Sequence, residues 1–166
     1  MKHFNGESMI EVAVENYYKE ISKDKGNELF SKLVEDGYNF FTGIPCSYLK
    51  SFLNELENEK QIIRGTIYKS ILEPLDIKHI KPFNESQAVG IAAGAYLAGY
   101  KPVVYCQNSA IGYIMNPITS LLIPNKIDVL FIISERKDPP YEHKIMGEKG
   151  RDIMKLIGWE KVIWIV

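Results

Sequence analysis

The stretch IDVLFIIS, residues 127–134, decides the fold because six of its eight positions are apolar. A strand with one solvent-exposed face would alternate polar and apolar residues. This run does not alternate, so the pattern indicates a strand that is buried on both faces. Strands of that type occur in parallel sheets that helices cover on each side. Residues 127–134 therefore predict the interior of an α/β sheet.

Helical and strand patterns alternate on both sides of this stretch. Strands separated by helices of this length require right-handed crossovers, so we predict a doubly wound, mainly parallel α/β sheet with helices on both faces. Asn27 and Ser47 are predicted to cap the first two helices. The further predicted strands are YNFFTGIP, HIKPF, KPVVYCQN and KVIWIV, and the predicted helices include ELFSKLVEDG, ESQAVGIAAGAYLAG, residues 111–122 with an interruption at Pro117, and GRDIMKLIG.

The amino-terminal part of the chain has a different pattern. Residues 8–22 have apolar side chains at helical spacing and predict an amphipathic helix, which the charged segment KDKGN follows. We therefore expect a helical extension over residues 1–26 and a domain over residues 27–166.

Composition excludes several classes of protein. The 166 residues contain 20 Lys and Arg against 21 Asp and Glu, which does not suit a nucleic-acid clamp. Apolar runs are too short for a membrane span, and the start lacks a secretory signal, so we expect a cytoplasmic protein. The two cysteines have no partners at zinc spacing, so no metal site is predicted in this chain. A chain of this length can hardly hold two nucleotide-sized domains.

Ligands of doubly wound sheets bind beyond the carboxyl ends of the strands. The turns predicted at those ends are GIPCS, PFNES, QNSAIG and SERKDPPYEHK. We therefore look for function in these four turns.

Glu85 lies in PFNES, where a strand meets the first turn of a helix. A carboxylate at this position can simply stabilise the helix dipole. The following helix is rich in Ala and Gly and can approach another backbone closely, so the carboxyl group can also be desolvated and suited to proton exchange. Both interpretations are open on the residues alone.

The other turns allow similar alternatives. Asn108 and Ser109 are either helix caps or ligand contacts, and His143 is either a solvated side chain or part of a site. Cys46 has no neighbouring base and is expected to be a buried hydrophobe, while His79 is expected to be structural. The chain has no GxGxxG, GxxxxGK[ST], HExxH or GxSxG motif.

Taken together and in order, these turns resemble a known family. The segments FFTGIPCSYLKSFL, PFNESQAVGIAAGAYLAGYKPVVYCQNSAIGYIMNPITSL and SERKDPPYEHKIMGEKGR are similar to the pyrimidine-binding domain of thiamine-diphosphate-dependent decarboxylases. The resemblance is nearest to phosphonopyruvate decarboxylases and sulfopyruvate decarboxylase α subunits, and it covers residues 27–166. It implies the fold of that domain and a carboxy-lyase activity.

The resemblance assigns cofactor contacts. Glu85 matches the catalytic glutamate that hydrogen-bonds the aminopyrimidine ring of thiamine diphosphate and so promotes loss of the thiazolium C2 proton. The remaining implied cofactor contacts are Gly43, Ile44, Pro45, Asn108 and Ser109.

The resemblance also assigns substrate contacts. Ser47 matches a serine that contacts the substrate carboxylate, and His143 matches a loop histidine that can pair with a phosphonate or sulfonate. Gln107 and Asn108 complete the implied substrate set. The implied substrate is a small anionic 2-oxo acid, phosphonopyruvate or sulfopyruvate, which would yield carbon dioxide and an aldehyde.

Three features depart from the family pattern. Ala110 replaces a glycine and Tyr113 replaces an asparagine in the QNSAIG region. The chain also has no GDG motif, which in this family helps to hold Mg²⁺ and the diphosphate. The resemblance therefore implies a diphosphate-binding β subunit that carries Mg²⁺, with an α₂β₂ or larger assembly.

Two other functions stay open. A related enzyme could capture the intermediate with an aldehyde and act as a carboligase. A relative that has lost its chemistry could bind a partner without catalysis, because Ala110 and Tyr113 change the turn.

Overall fold

A computed structural model of the chain describes residues 20–65, 77–137 and 143–166. Its six strands are β1 (Glu20–Ile21), β2 (Phe40–Gly43), β3 (Lys78–Ile80), β4 (Pro102–Gln107), β5 (Leu130–Ser134) and β6 (Val162–Ile165). Its α-helices are α1 (Gly26–Glu35), α2 (Lys50–Gly65), α3 (Glu85–Leu97), α4 (Ile111–Pro117) and α5 (Lys144–Leu156).

The strands form one parallel sheet in the order β1-β6-β5-β4-β2-β3. β5 is buried along its whole length and pairs with β4 and β6. This confirms an interior strand within residues 127–134, although the strand begins at Leu130 rather than at Ile127.

A hydrophobic cluster covers each face of the sheet. On one face α3, α4 and α5 pack over Val104, Phe131 and Trp164. On the other face α1 and α2 pack over Phe41 and Ile132. Burial of both faces explains why the strands are continuously apolar, and it confirms the doubly wound α/β fold.

Helix ends follow the backbone preferences of the sequence. α1 is followed by Gly37, which adopts φ 84°, a conformation that favours glycine. α4 ends at Pro117, and residues Ile118–Leu122 continue as one π-helical segment. The predicted interruption at Pro117 is thus confirmed.

Three local predictions were wrong. Asn27 does not cap α1, because that helix begins at Gly26 and the Asn27 amide donates to Ser51 Oγ. Ser47 does not cap α2 directly, because it opens the 3-10 turn Ser47–Leu49 and α2 begins at Lys50. Glu20–Ile21 form strand β1 beside β6 rather than the end of a helix. The rest of the helix predicted over 8–22 lies outside the described residues.

None of the helices within the described ranges is both long enough and apolar enough to cross a membrane.

Candidate functional site

The candidate site lies where the order of the sheet reverses. From β2 the chain moves outward to β3 and then returns to β4, on the other side of β2, before it continues to β5 and β6. The carboxyl ends of β2 and β4 therefore form the topological switch point, at which open α/β sheets bind ligands. Two of the predicted turns, GIPCS and QNSAIG, leave the sheet there.

The turn after β2 is held tightly against β4. A Cβ on Gly43 would overlap the carbonyl oxygen of Tyr105, so only glycine fits this close approach. The Ile44 amide then donates to the same carbonyl oxygen over 3.1 Å. Ile44 is half-buried and Pro45 is exposed, so the turn emerges at the end of β4.

Asn108 lies at the end of β4 and is fully buried. Its Nδ2 donates to the Arg136 carbonyl oxygen at 2.9 Å, which fixes the plane of the amide. Its Oδ1 has no hydrogen-bond partner within residues 20–65, 77–137 and 143–166. Because a buried carbonyl oxygen left unpaired is costly, this atom is suited to accept a hydrogen bond from a bound molecule.

Gln107 and Ser109 flank Asn108 and are half-buried. The Gln107 amide donates to the Ser109 hydroxyl, so the two side chains brace one another. Neither is a helix cap in the structure, because no side-chain cap is present at the 3-10 turn Asn108–Ala110.

Glu85 opens α3 but is not the cap of that helix. The Asn84 side chain accepts from the Gln87 amide at 2.8 Å and performs the capping. Glu85 is half-buried, and in the part of the chain that the structure describes no hydrogen bond or ion pair engages its carboxylate. Its carboxylate is therefore left for another role.

The Glu85 carboxylate lies near the buried thiol of Cys106, at the carboxyl end of β4. Burial raises the pKa of Cys106, and the negative charges of Glu85 and then of Cys46 raise it further. A thiol with a raised pKa is a poor nucleophile, so Cys106 is suited to packing rather than catalysis. Glu85 is therefore close enough to β4 for its charge to act on Cys106, two residues before Asn108.

The turn around Ser47 reaches across to the end of β5. The Ser134 hydroxyl donates to Cys46 Sγ at 3.2 Å, and the Arg136 guanidinium lies 5.6 Å from the centre of the Tyr48 ring. Ser47, between these two contacts, is exposed. The structure therefore places Ser47 at the carboxyl edge of the sheet.

A buried carboxylate follows β5, which sequence reasoning missed. Glu135 is 5% exposed and accepts from Arg151 Nε at 2.9 Å and Nη2 at 2.7 Å. Lys137 lies 3.0 Å from the same carboxylate, and Arg151 also donates to Glu20. Burial alone would raise the pKa of Glu135, but the hydrogen bonds and charges of Arg151 and Lys137 outweigh it and hold that pKa below its usual range.

The two histidines differ in position. His79 is almost fully buried beside Tyr105, with 2.7 Å between its Nε2 and the phenolic oxygen, and this confirms its structural role. His143 stands at the N-cap position of α5, one turn before Gly147. A Cβ on Gly147 would overlap the Arg136 carbonyl oxygen, so α5 approaches the end of β5 closely there.

The two residues that depart from the family pattern are not equivalent. Ala110 is buried among the residues that pack under α3 and α4, whereas the Tyr113 side chain is 67% exposed. The Tyr113 carbonyl oxygen accepts from the Ser86 hydroxyl at 2.6 Å and links α4 to the start of α3.

Comparisons with known proteins identify relatives with high similarity. The chain is 36% identical over 110 residues to the sulfopyruvate decarboxylase subunit alpha of Methanococcus maripaludis, which covers 66% of this chain and 57% of that protein. It is 35% identical over 129 residues to the subunit of the same name from Methanocaldococcus jannaschii, covering 78% of this chain and 68% of that protein. It is also 31% identical over 138 residues to the phosphonopyruvate decarboxylase of Streptomyces viridochromogenes, covering 80% of this chain and 31% of that protein.

A solved structure with a similar fold is the 2-oxoglutarate:ferredoxin oxidoreductase from Magnetococcus marinus. The TM-score is 0.50 at 10% identity over 87% of this chain and 28% of that chain, which shows a shared fold. No protein-family model matches the chain. The similarity to the two α subunits, of which one is matched over more than two thirds of its length, nevertheless shows that the chain belongs to the family of sulfopyruvate decarboxylase α subunits and their phosphonopyruvate decarboxylase relatives.

Proposed function

We propose that this chain is the pyrimidine-binding subunit of a thiamine-diphosphate-dependent 2-oxo acid decarboxylase that acts on sulfopyruvate or phosphonopyruvate. The products would be carbon dioxide and an aldehyde. The observations that carry the proposal are two acceptors that the described residues leave unused: the buried Oδ1 of Asn108 after β4, and the carboxylate of Glu85, whose charge acts on Cys106 of the same strand. The names of the relatives supply the two candidate substrates.

These residues fit the pyrimidine ring of the cofactor. Asn108 Oδ1 would accept from a ring amino group, and the Glu85 carboxyl would hold a proton against a ring nitrogen. The backbone of Gly43, Ile44 and Pro45 would border the ring, with Ser109 braced by Gln107 beside it. When bound, thiamine diphosphate supplies the nucleophilic carbon that attacks the 2-oxo group and accepts the electrons released with carbon dioxide.

The catalytic unit is proposed to need a second subunit. Residues 27–166 would form the pyrimidine-binding domain, and the sequence contains no GDG motif. Within the described residues, no group of three or more His, Cys, Asp or Glu side chains forms a possible metal site. Mg²⁺ and the diphosphate would therefore be held by a β subunit, in an α₂β₂ or larger assembly, as the name "subunit alpha" of the relatives suggests.

One surface of the chain is suited to such a partner. After Gln87, α3 is composed of small or apolar residues on all its sides, a composition typical of a buried helix. Gly90 and Gly94 nevertheless lie exposed, a Cβ at either position would meet only open space, and Leu97 is 75% exposed. The exposed glycines allow close approach by another backbone, and Leu97 adds exposed apolar surface to the same helix.

Reconstitution tests the proposed reaction. The chain, mixed with a GDG-containing partner from an adjacent reading frame, thiamine diphosphate and Mg²⁺, is expected to release carbon dioxide from sulfopyruvate or phosphonopyruvate. The measurement is carbon dioxide and aldehyde produced in equal amounts. Release from neither acid would contradict the proposal, and a hydroxyketone in place of the aldehyde would indicate carboligation.

Cofactor affinity gives a separate test. The isolated chain is expected to bind thiamine diphosphate weakly, because the charge interactions that anchor the diphosphate would come from the partner. Titration calorimetry with the chain alone and with the assembly measures the difference. Tight binding to the isolated chain would show that the partner is not needed to hold the cofactor.

A further inference from the structure

Arg136 is a cation at the carboxyl end of β5 that the sequence motifs did not single out. Its guanidinium is half-buried and lies 5.6 Å from the centre of the Tyr48 ring, which orients the side chain toward the turn after β2. Its backbone carbonyl accepts from Asn108 at 2.9 Å. Arg136 is therefore anchored between two of the turns that form the candidate site.

In the part of the chain that the structure describes, no neighbouring carboxylate neutralises the charge of Arg136. The adjacent carboxylate, Glu135, is engaged by Arg151 and Lys137. Within residues 20–65, 77–137 and 143–166, no carboxylate forms an ion pair with the Arg136 side chain. A guanidinium that is half-buried without a carboxylate partner is suited to bind an anion from outside the chain.

Two other polar residues lie close to Tyr48, in space or in sequence. The amine of Lys23 lies 4.9 Å from the centre of the Tyr48 ring, so two cations stand near one ring. Ser47 precedes Tyr48, is exposed and follows Cys46, which contacts Ser134 of β5. Lys23 and Arg136 thus both lie near the Tyr48 ring, and Ser47 is the residue that precedes it.

We propose that Arg136 binds the terminal sulfonate or phosphonate of the substrate, and this inference rests on the function proposed above. The substrate carries two anionic groups, of which the carboxylate loses its charge as carbon dioxide leaves. A fixed cation on that carboxylate would stabilise the ground state more than the transition state and so slow the reaction. The terminal anion keeps its charge throughout, so Arg136 there strengthens binding without opposing the chemistry.

The test uses the reconstituted enzyme with Arg136→Gln and Arg136→Lys in the α chain. Loss of a charge-assisted hydrogen bond predicts a KM for sulfopyruvate or phosphonopyruvate that is about 10- to 100-fold higher in Arg136→Gln, with kcat within about threefold. Arg136→Lys keeps the charge without the planar fork and is expected to fall between wild type and Arg136→Gln. The inhibition constant of 3-sulfopropanoate, which has the terminal anion but no 2-oxo group, should rise by the same factor.

Lys149→Met is the matched control, because it removes one positive charge from an exposed site on α5 and should leave both constants unchanged. Thermal unfolding of each variant checks that the fold is intact. An unchanged KM, or a loss of kcat alone, in an active Arg136→Gln assembly would overturn the role of Arg136 and leave the proposed function standing. A wild-type assembly that decarboxylates neither acid would overturn both.

Discussion

Replacing Glu85 with glutamine is expected to slow carbon dioxide release by the reconstituted enzyme about 10²- to 10⁴-fold, the range typical of a lost general acid or base. Glutamine keeps the shape of the side chain but cannot hold and release a proton at the carboxyl position. Asn84 still caps α3 in this variant, so the helix should persist. Steady-state kinetics of the assembled variant measure the effect.

The control for this variant is Glu28→Gln. Glu28 also lies in the first turn of a helix, α1, and its contact with Lys25 is an exposed ion pair at 3.9 Å. Both variants remove one negative charge from the first turn of a helix, which costs at most about 1 kcal/mol of stability. Full activity of Glu85→Gln, or equal losses in both variants, would remove Glu85 from the proposed mechanism.

Replacing Arg151 with methionine is expected to destabilise the fold by about 2–4 kcal/mol. The range lies somewhat below that for breaking a fully buried ion pair, because Arg151 is 37% exposed and Lys137 still faces Glu135. The variant also loses the contact of the guanidinium with the Trp164 ring at 5.2 Å. Urea denaturation at neutral pH measures the loss.

The dependence on pH identifies the source of that stability. The folded-state pKa of Glu135 is depressed, so its contribution is present above the unfolded-state pKa of about 4.3 and is lost as pH falls through the folded-state pKa. In Arg151→Met, the free energy of unfolding should therefore fall less steeply than in the wild type as the pH is lowered into the acid range. The control is Lys144→Met, which removes an exposed ion pair with Glu148 at 3.9 Å. It should lower the free energy of unfolding by less than about 1 kcal/mol and leave its pH dependence unchanged. An Arg151→Met profile that parallels the wild type would show that the pair does not stabilise the fold.

Most of the fold could be predicted from the sequence, because an uninterrupted run of apolar residues can be recognised without knowledge of the rest of the chain. The run at 127–134 and the small-residue helix after Glu85 are each recognisable within one window, and both are present as predicted. Strand β1 was not predicted, because its two residues, Glu20 and Ile21, are too few to show the alternation of polar and apolar residues that marks a strand. It exists because β6 offers a free edge, which is a property of the whole sheet.

The candidate site was predictable only in part. Glu85 and Asn108 were nominated from separate turns, and the order of the sheet places the strands that precede them, β3 and β4, on either side of β2. The charged segment after β5 resembles a solvated loop, so nothing local distinguishes Glu135 from Arg136. The distinction arises because Arg151, sixteen residues beyond Glu135, engages one and leaves the other to face Tyr48.

The place of β6 in the sheet has a consequence for biosynthesis. β6 follows the other five described strands along the chain, yet it lies between β1 and β5, and Glu20 pairs with Trp164. A nascent chain on the ribosome therefore holds β1 without its only neighbour in the described sheet until synthesis reaches residue 165. Contacts of such sequence separation form late and slowly, so a translation product stalled in α5 should be open to proteases around Glu20–Ile21.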